Sequence, residues 1–126
     1  MTEKKVEKVW GNEEWIVNTD KYCGKILNLN KGFRCSMHHH KQKDETFYII
    51  EGEVLLEHDG KMKILKSGES QRILPGQKHR FTGLENSKII EFSTHHEDVD
   101  SYREEEQLSG KVDLNLIKEK IREIKQ

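Results

Sequence analysis

The sequence predicts an all-β fold, an antiparallel β-barrel or jelly roll, with one C-terminal α-helix. Short apolar runs recur at close, even spacing, and residues typical of turns separate them. The apolar period changes to that of a helix only near the C-terminus. The short connections favour antiparallel pairing. With 126 residues, the chain is long enough for one domain with a compact core.

Nine runs are predicted as strands. An Asp59-Gly60 pair between two of them is a strong hairpin signal. In order, the predicted strands are Glu14–Val17, Tyr22–Asn28, Phe33–His40, Glu45–Ile50, Glu53–His58, Lys61–Leu65, Glu69–Leu74, His79–Thr82 and Lys88–Ser93.

The chain changes character after Thr94. A polar and acidic stretch leads into residues 111–126, for which the sequence predicts a helix with Asp113 as its N-cap. An apolar stripe follows at spacings of three, four and three residues, formed by Leu114, Ile117, Ile121 and Ile124. We therefore expect a barrel with its N-terminal strand over residues 1–103, and a polar linker and amphipathic helix over residues 104–126. The helix packs either on the barrel or on a partner subunit.

Composition argues against several classes of partner. Lys and Arg number 22 against 23 Asp and Glu, giving a net charge of −1, so no nucleic acid or anionic membrane is expected as a partner. The N-terminus lacks an apolar signal core, and no window resembles a membrane span. Without a secretion signal, Cys23 and Cys35 are expected to be reduced thiols, which predicts a cytoplasmic protein.

The stretch from Phe33 to Ile50 predicts a metal site. His38 and His40 are one residue apart on a predicted strand, so their side chains point to the same face, whereas His39 points away. A short polar hairpin follows, and Glu45 begins the next strand. Two imidazoles and one carboxylate with coordination positions left over are typical of a first-row transition metal.

The same stretch resembles the first motif of the cupin superfamily. The motif begins at Gly32, passes through the three candidate ligands and ends at Gly52. A stretch similar to the second cupin motif runs from Gly68 to His79, with Leu74 in place of the usual Pro and Gly83 in place of the usual Asn. The resemblance implies a cupin barrel, often a homodimer, in which His79 is the fourth metal ligand.

Further segments are similar to the small sugar-isomerase cupins related to D-lyxose isomerase and to type II mannose-6-phosphate isomerase. The similarity covers residues 9–103 and is carried by Val9–Val17, Tyr22–Lys25, Lys43–Tyr48, His79–Phe81 and Glu91–Asp98. It implies a metal-dependent aldose–ketose isomerase or epimerase acting on a free or phosphorylated sugar. The metal would be Mn, Fe, Co, Ni or Zn, with Mn or Zn favoured.

Two other functions stay open. The protein could be a non-catalytic sugar-binding or sensory cupin of a polysaccharide or nonulosonate pathway, or an iron cupin dioxygenase, because cupins share a fold and not a function. A polar cavity favours a polyol ligand, whereas a wholly apolar and aromatic cavity favours the dioxygenase.

Several side chains are candidates for catalysis or substrate binding. Glu91 lies in an apolar strand, so it either faces solvent or serves as the catalytic base. Lys25 is a second catalytic candidate, although a position at the barrel rim is preferred. By strand parity with the histidines, Arg34 and Ser36 should face the cavity. The remaining expectations are that Phe47 and Phe81 form cavity walls, that His96 is solvated, and that the role of His95 is open.

Overall fold

The computed structural model describes residues 4–104 and 107–125, which form two antiparallel β-sheets, a short 3-10 helix and a C-terminal α-helix. The strands are β1 (Lys4–Lys8), β2 (Gly11–Asn18), β3 (Cys23–Leu29), β4 (Phe33–Arg34), β5 (His38–His39), β6 (Glu45–Glu51), β7 (Glu53–His58), β8 (Lys61–Lys66), β9 (Ser70–Ile73), β10 (His79–Gly83), β11 (Ser87–Ser93), β12 (Tyr102–Arg103) and β13 (Gly110–Lys111). The α-helix, α1, spans Leu114–Lys125, and the 3-10 helix spans Asp98–Asp100.

The two sheets form the jelly roll that the sequence predicts. The six-stranded sheet has the order β1-β2-β3-β11-β6-β9, and the seven-stranded sheet has the order β12-β5-β10-β4-β13, with β7 joined to β10 and β8 joined to β7. Within the described residues, no helix is both long enough and apolar enough to cross a membrane.

The alternation of buried and exposed residues builds the core between the sheets. Along β3 every second side chain is buried, as expected where one face of a strand packs and the other meets solvent. The same alternation holds along most of β11. The main apolar cluster comprises Trp10, Leu27, Leu29, Cys35, Phe47, Ile49, Val54, Leu56, Leu65, Ile73, Phe81 and Ile89.

Helix α1 packs on the outside of the barrel. The Asp113 side chain accepts a hydrogen bond from the amide of Asn115 at 2.9 Å, which agrees with the predicted N-cap. Ile117 is buried against Leu55 and Leu84, so the apolar stripe contacts the barrel. Ile124 departs from the predicted stripe because it is 63% exposed at the end of the helix.

Two predicted strands differ from the observed ones. The N-terminal region is a hairpin of β1 and β2 instead of a single strand, because the chain turns at Val9 and Trp10. The predicted strand over residues 33–40 is interrupted: β4 ends at Arg34 and β5 begins at His38. The turn at Asp59 and Gly60 is as predicted, with φ values of 50° and 75° that suit a tight hairpin.

Close backbone approach explains two of the glycines. Gly52 has a φ of 100°, and a β-carbon there would lie 2.6 Å from the backbone oxygen of Asn86. A β-carbon at Gly83 would lie 2.6 Å from the backbone oxygen of Asn30. Gly83 is the position at which cupins usually carry Asn, so the departure from the motif accompanies tight packing of the end of β10 against the backbone at Asn30.

Candidate metal centre and cavity

Three histidines converge in the interior. His38 is in β5 and His79 begins β10, and the two are direct neighbours in the antiparallel register. His40 follows β5. The ligand atoms of His38, His40 and His79 all lie within 4.8 Å of one another, which suits a shared metal ion.

Glu45 completes the candidate ligand set from the opposite sheet. It is the first residue of β6, in the six-stranded sheet, whereas the histidines belong to the seven-stranded sheet. Its Oε2 atom lies 3.3 Å from Nε2 of His40 and 3.2 Å from Nε2 of His79. Glu45 therefore contacts two of the three clustered histidines.

Backbone carbonyls fix the orientation of each imidazole. The Nδ1 atom of His38 lies 2.7 Å from the carbonyl oxygen of Ser36, that of His40 lies 3.0 Å from the Asp100 carbonyl, and that of His79 lies 3.0 Å from the Gln77 carbonyl. A carbonyl oxygen can only accept a hydrogen bond, so Nδ1 carries the proton in each ring. The unprotonated Nε2 atoms are then left for a metal.

The buried polar atoms fit a divalent metal ion. Among the described residues, Oε2 of Glu45 and Nε2 of His79 are buried and have no hydrogen-bond partner. Burial, supported by the neighbouring His79, lowers the pKa of His38 to about 3, which keeps this imidazole neutral. Burial opposes the charge of Glu45, but the adjoining imidazoles of His40 and His79 and the ammonium group of Lys43 hold its pKa well below the usual value. Neutral imidazoles and an ionised carboxylate are the states in which these groups bind metals.

Asp100 holds the hairpin that connects His40 to Glu45. Its carboxylate accepts hydrogen bonds from the backbone amides of Lys41, Gln42 and Lys43 at 2.9 to 3.2 Å. Burial opposes its charge, but these three amides keep the pKa of Asp100 below its usual value. The Asp100 carbonyl also orients His40. Asp100 therefore supports both a candidate ligand and the hairpin that follows it.

A cavity of about 620 Å³ opens beside the metal ligands. Its walls combine aromatic rings with charged groups. The aromatic residues are Trp10, Trp15, Phe47 and Phe81, and the charged residues include Lys25, Lys43, Glu13, Glu45, Glu91 and Arg103. Ser36 also lines the cavity, as its predicted substrate-binding role requires. The cavity size suits a small-molecule ligand.

One transverse row of side chains crosses the inner face of the six-stranded sheet. In the strand register, Phe47 lies opposite Glu91, Glu91 lies opposite Lys25, and Lys25 lies opposite Trp15. All four line the cavity. Glu91 is 4% exposed, so it faces the interior and not solvent. Lys25 is 2% exposed, so the preferred position at the rim is wrong.

Lys43 was missed in the sequence because it lies in a charged hairpin. Its ammonium group donates hydrogen bonds to Oε2 of Glu91 and to Nδ1 of His96, both at 3.0 Å. It also lies 3.6 Å from Oε1 of Glu45. Burial opposes the charge of Lys43, but Glu91 and Glu45 outweigh burial and raise its pKa. Burial alone would raise the pKa of Glu91, but the ammonium group of Lys43 outweighs burial, so the pKa of Glu91 lies below its usual value.

His96 lines the cavity, so the expectation that it is solvated is wrong. Its ring packs edge-on against Trp15 at 5.1 Å, and its Nε2 lies 2.9 Å from Asp98. Burial and the nearby ammonium groups of Lys43 and Lys25 lower the pKa of His96. His95 has a different environment, with Nδ1 2.6 Å from the Thr19 carbonyl. His39 stacks on Tyr102, away from the cavity, as its parity predicts.

Arg34 does not line the cavity, so its expected inward direction is wrong. The parity argument requires an unbroken strand, and the strand is interrupted between Arg34 and His38. Burial and the like charge of Arg80 lower the pKa of Arg34. Phe81, which was expected to form a cavity wall, does line the cavity.

The fold and the cluster define a jelly-roll protein with a histidine-rich centre suited to a divalent metal. The sequence pattern of the cupin domain family matches residues 25–92, more than half of the chain. The chain therefore belongs to the cupin family. No curated protein matches it by sequence.

Solved structures share the fold at low sequence identity. KdgF from Halomonas sp. is 19% identical with a TM-score of 0.66, covering 70% of this chain and 81% of its own. An RmlC-like cupin from Shewanella frigidimarina is also 19% identical, with a TM-score of 0.71, covering 78% of this chain and 87% of its own. A variant of Streptomyces PAC13, solved with uridine, is 7% identical with a TM-score of 0.72, covering 90% and 88%. At these identities the likeness concerns the fold alone.

Proposed function

We propose that the protein is a metal-dependent aldose–ketose isomerase or epimerase acting on a free or phosphorylated sugar. One observation supports this most directly: Glu91, a buried carboxylate, lines the same cavity as the metal-ligand set. Moving a carbonyl between adjacent carbons requires a group that accepts and returns a proton beside those carbons. A carboxylate held inside a cavity can perform this task.

The chain supplies four metal ligands, a base and the walls of the site. His38, His40, His79 and Glu45 would hold the metal through Nε2 and carboxylate atoms. A bound divalent metal would act as a Lewis acid toward two adjacent sugar oxygens. Glu91 would accept the carbon-bound proton and return it to the neighbouring carbon.

Lys43 and Ser93 position this base. Both donate to Oε2 of Glu91, at 3.0 and 3.1 Å. These bonds fix one carboxylate oxygen and leave Oε1 as the atom that meets a substrate. The ammonium group of Lys43 keeps Glu91 ionised, so that it is ready to accept a proton.

The test is product analysis in deuterated water. Protein reconstituted in turn with zinc and manganese is incubated with pentoses, hexoses and their phosphates, and the sugars are examined by NMR after removal of protein and metal. We expect new ketose or epimer signals, with deuterium at C1 of the ketose or at C2 of the epimer. Glu91→Gln should abolish conversion while keeping the metal. Full turnover by this variant would show that Glu91 is not the base, and no conversion across the panel would contradict the isomerase.

A non-catalytic sugar-binding cupin is the second candidate. The observation in its favour is that Lys43 and Ser93 already engage Glu91, as in a purely structural ion pair. In that case sugars would bind without conversion. An iron dioxygenase is third, because charged groups line this cavity together with the aromatic rings.

We also propose that the protein is cytoplasmic. The cysteines of the chain, Cys23 and Cys35, are buried free thiols, which suits a reducing cytoplasm. We also propose a homodimer, the assembly that the cupin resemblance implies. Sedimentation of the purified protein would test the dimer directly, since a monomer at micromolar concentration would contradict it.

A further inference from the structure

Lys25 is a buried cation whose hydrogen-bonding capacity is not filled by the described residues. The side chain is 2% exposed and lines the cavity. Its nearest described carboxylate, Glu13, lies 3.6 Å from Nζ, beyond hydrogen-bond length, and the Trp15 ring lies 4.0 Å away. An ammonium group has three donors, and burying it without acceptors is costly. Such a group inside a cavity suits an oxygen of a ligand.

Glu13 is itself shared with another donor. Its Oε1 atom accepts a hydrogen bond from Nε1 of Trp15 at 2.9 Å, and it is the same atom that lies 3.6 Å from Lys25. Lys43, by contrast, has close partners in Glu91 and His96. Of the two buried lysines in the cavity, Lys25 is therefore the one available to a ligand.

The charges around the cavity also favour an anion. The ammonium groups of Lys25 and Lys43 face the carboxylates of Glu13, Glu45 and Glu91. With neutral imidazoles and a divalent metal bound, the site would carry one positive charge in excess. Lys4, Lys8 and Arg103 at the cavity also outnumber Glu7 and Asp98. A ligand with one negative group would balance this excess.

The register shows which end of a ligand this group would meet. Glu45 is on β6, Glu91 on the adjacent β11, and Lys25 on β3, one strand further from the metal ligand. Neighbouring strands are about 4.8 Å apart, so the strand of Lys25 lies roughly two strand spacings from that of Glu45 across the sheet. If the reacting carbons of the sugar lie between the metal-ligand set and Glu91, the other end of the sugar would lie near Lys25.

We propose that Lys25 binds a carboxylate or phosphate at the end of the sugar remote from the metal, so that the substrate is an acidic sugar. This inference rests on the proposed sugar function of the same site. The proposal limits the substrate to sugars that carry a negative charge. The metal ligands alone do not distinguish charged from neutral sugars.

The experiment is calorimetric titration of metal-loaded protein with D-glucose, D-glucuronate and D-glucose 6-phosphate. We expect at least one of the charged sugars to bind ten- to a hundredfold more tightly than glucose, as for a charge-assisted hydrogen bond. The preferred ligand, glucuronate or the phosphate, would identify the anionic group. Equal affinity of the unmodified protein for charged and neutral sugars would overturn the proposal.

Variants separate Lys25 from the metal as the source of this preference. Lys25→Gln should remove the preference, Lys25→Arg should retain most of it, and Lys88→Gln, a control on the outer face of the same sheet, should leave it unchanged. A preference that survives in Lys25→Gln with full metal content would assign it to the metal and overturn the proposal.

Binding and conversion report on different proposals. Tight binding of a neutral sugar with conversion would leave the isomerase standing and reject the anion site. Selective binding of a charged sugar without conversion would retain the anion site and reject the isomerase. If no sugar binds, both are rejected.

Discussion

The Nζ atom of Lys43 lies 3.0 Å from Oε2 of Glu91, and both side chains are almost fully buried. This contact joins the hairpin that precedes the candidate ligand Glu45 to the strand that carries the candidate base. A buried ion pair does little for stability by itself, but each member depends on the other for compensation of its charge.

Lys43→Met should therefore destabilise the fold by about 3 kcal/mol, because it leaves Glu91 as a buried charge without its principal partner. The double variant Lys43→Met/Glu91→Gln should recover much of that loss, since neither charge remains. Urea unfolding of the two single variants and the double variant measures the coupling. Strictly additive losses would show that the contact is energetically unimportant.

Metal content should depend on the four candidate ligands and not on His39, which lies between two of them in the sequence. We expect His79→Ala and Glu45→Gln to lose most of the metal that the purified protein retains after dialysis, because each removes a ligand atom. The control is His39→Ala, which alters the residue between two ligands but faces Tyr102. Elemental analysis gives the stoichiometry, and unchanged metal in His79→Ala would contradict the assignment.

Asp100→Ala should weaken metal binding without removing a ligand. The carboxylate orders the hairpin between His40 and Glu45 through the amides of Lys41, Gln42 and Lys43. Loss of such support around a metal site typically costs ten- to a hundredfold in affinity. Competition with a chromogenic chelator measures the change. Asp98→Ala, in the same 3-10 helix, is the matched control, and equal effects of the two variants would refute the specific role of Asp100.

The two thiols should resist alkylation in the folded protein. Burial raises the pKa of Cys35 to about 12, and burial together with Glu91 raises that of Cys23. Only a thiolate reacts readily, and its population grows as the pH approaches the pKa from below. At pH 8 both thiols are therefore protonated, and labelling should be slow until the protein unfolds. Mass spectrometry after iodoacetamide treatment checks this, with Cys23→Ser isolating Cys35. Rapid labelling of that variant in its native state would be inconsistent with a buried thiol.

Helix α1 should contribute to stability through Ile117. This side chain is 8% exposed against Leu55 and Leu84, so Ile117→Ala should lower the free energy of unfolding by about 2 kcal/mol. Leu116→Ala, at a neighbouring position that is 55% exposed, should change it by less than about 0.5 kcal/mol. Similar losses for both variants would indicate that Leu116 is covered in solution by a second chain.

Local spacing was enough to predict that three of the candidate metal ligands lie close together. His38, His40 and Glu45 lie within one hairpin, so strand parity and a short turn place them together. The apolar strand around Glu91 and the parity of Lys25 with Leu27 and Leu29 marked both residues as candidates, although the choice between interior and exterior needed the structure. Parity failed for Arg34 because the strand is interrupted after it, and nothing in the local sequence marks that interruption.

Long-range contacts could not be predicted. In the sequence, Lys43 is one of several charged residues in a predicted turn. Its burial depends on Glu91, which is 48 positions away in the sequence. Asp100 lies in a polar stretch, and the amides that its carboxylate binds are 57 to 59 positions away. Each of these side chains acquires its role only when the segment after β11 folds back over the ligand hairpin.

The division of the ligands between the two sheets has a consequence for folding. Three imidazoles come from one layer of the jelly roll and the carboxylate of Glu45 from the other. A metal ion held by all four would act as a cross-link between the layers, and ligands that bind only the native state raise its stability with the logarithm of their free concentration. Melting temperatures recorded across a series of divalent metals should therefore rank their affinities before any substrate is known.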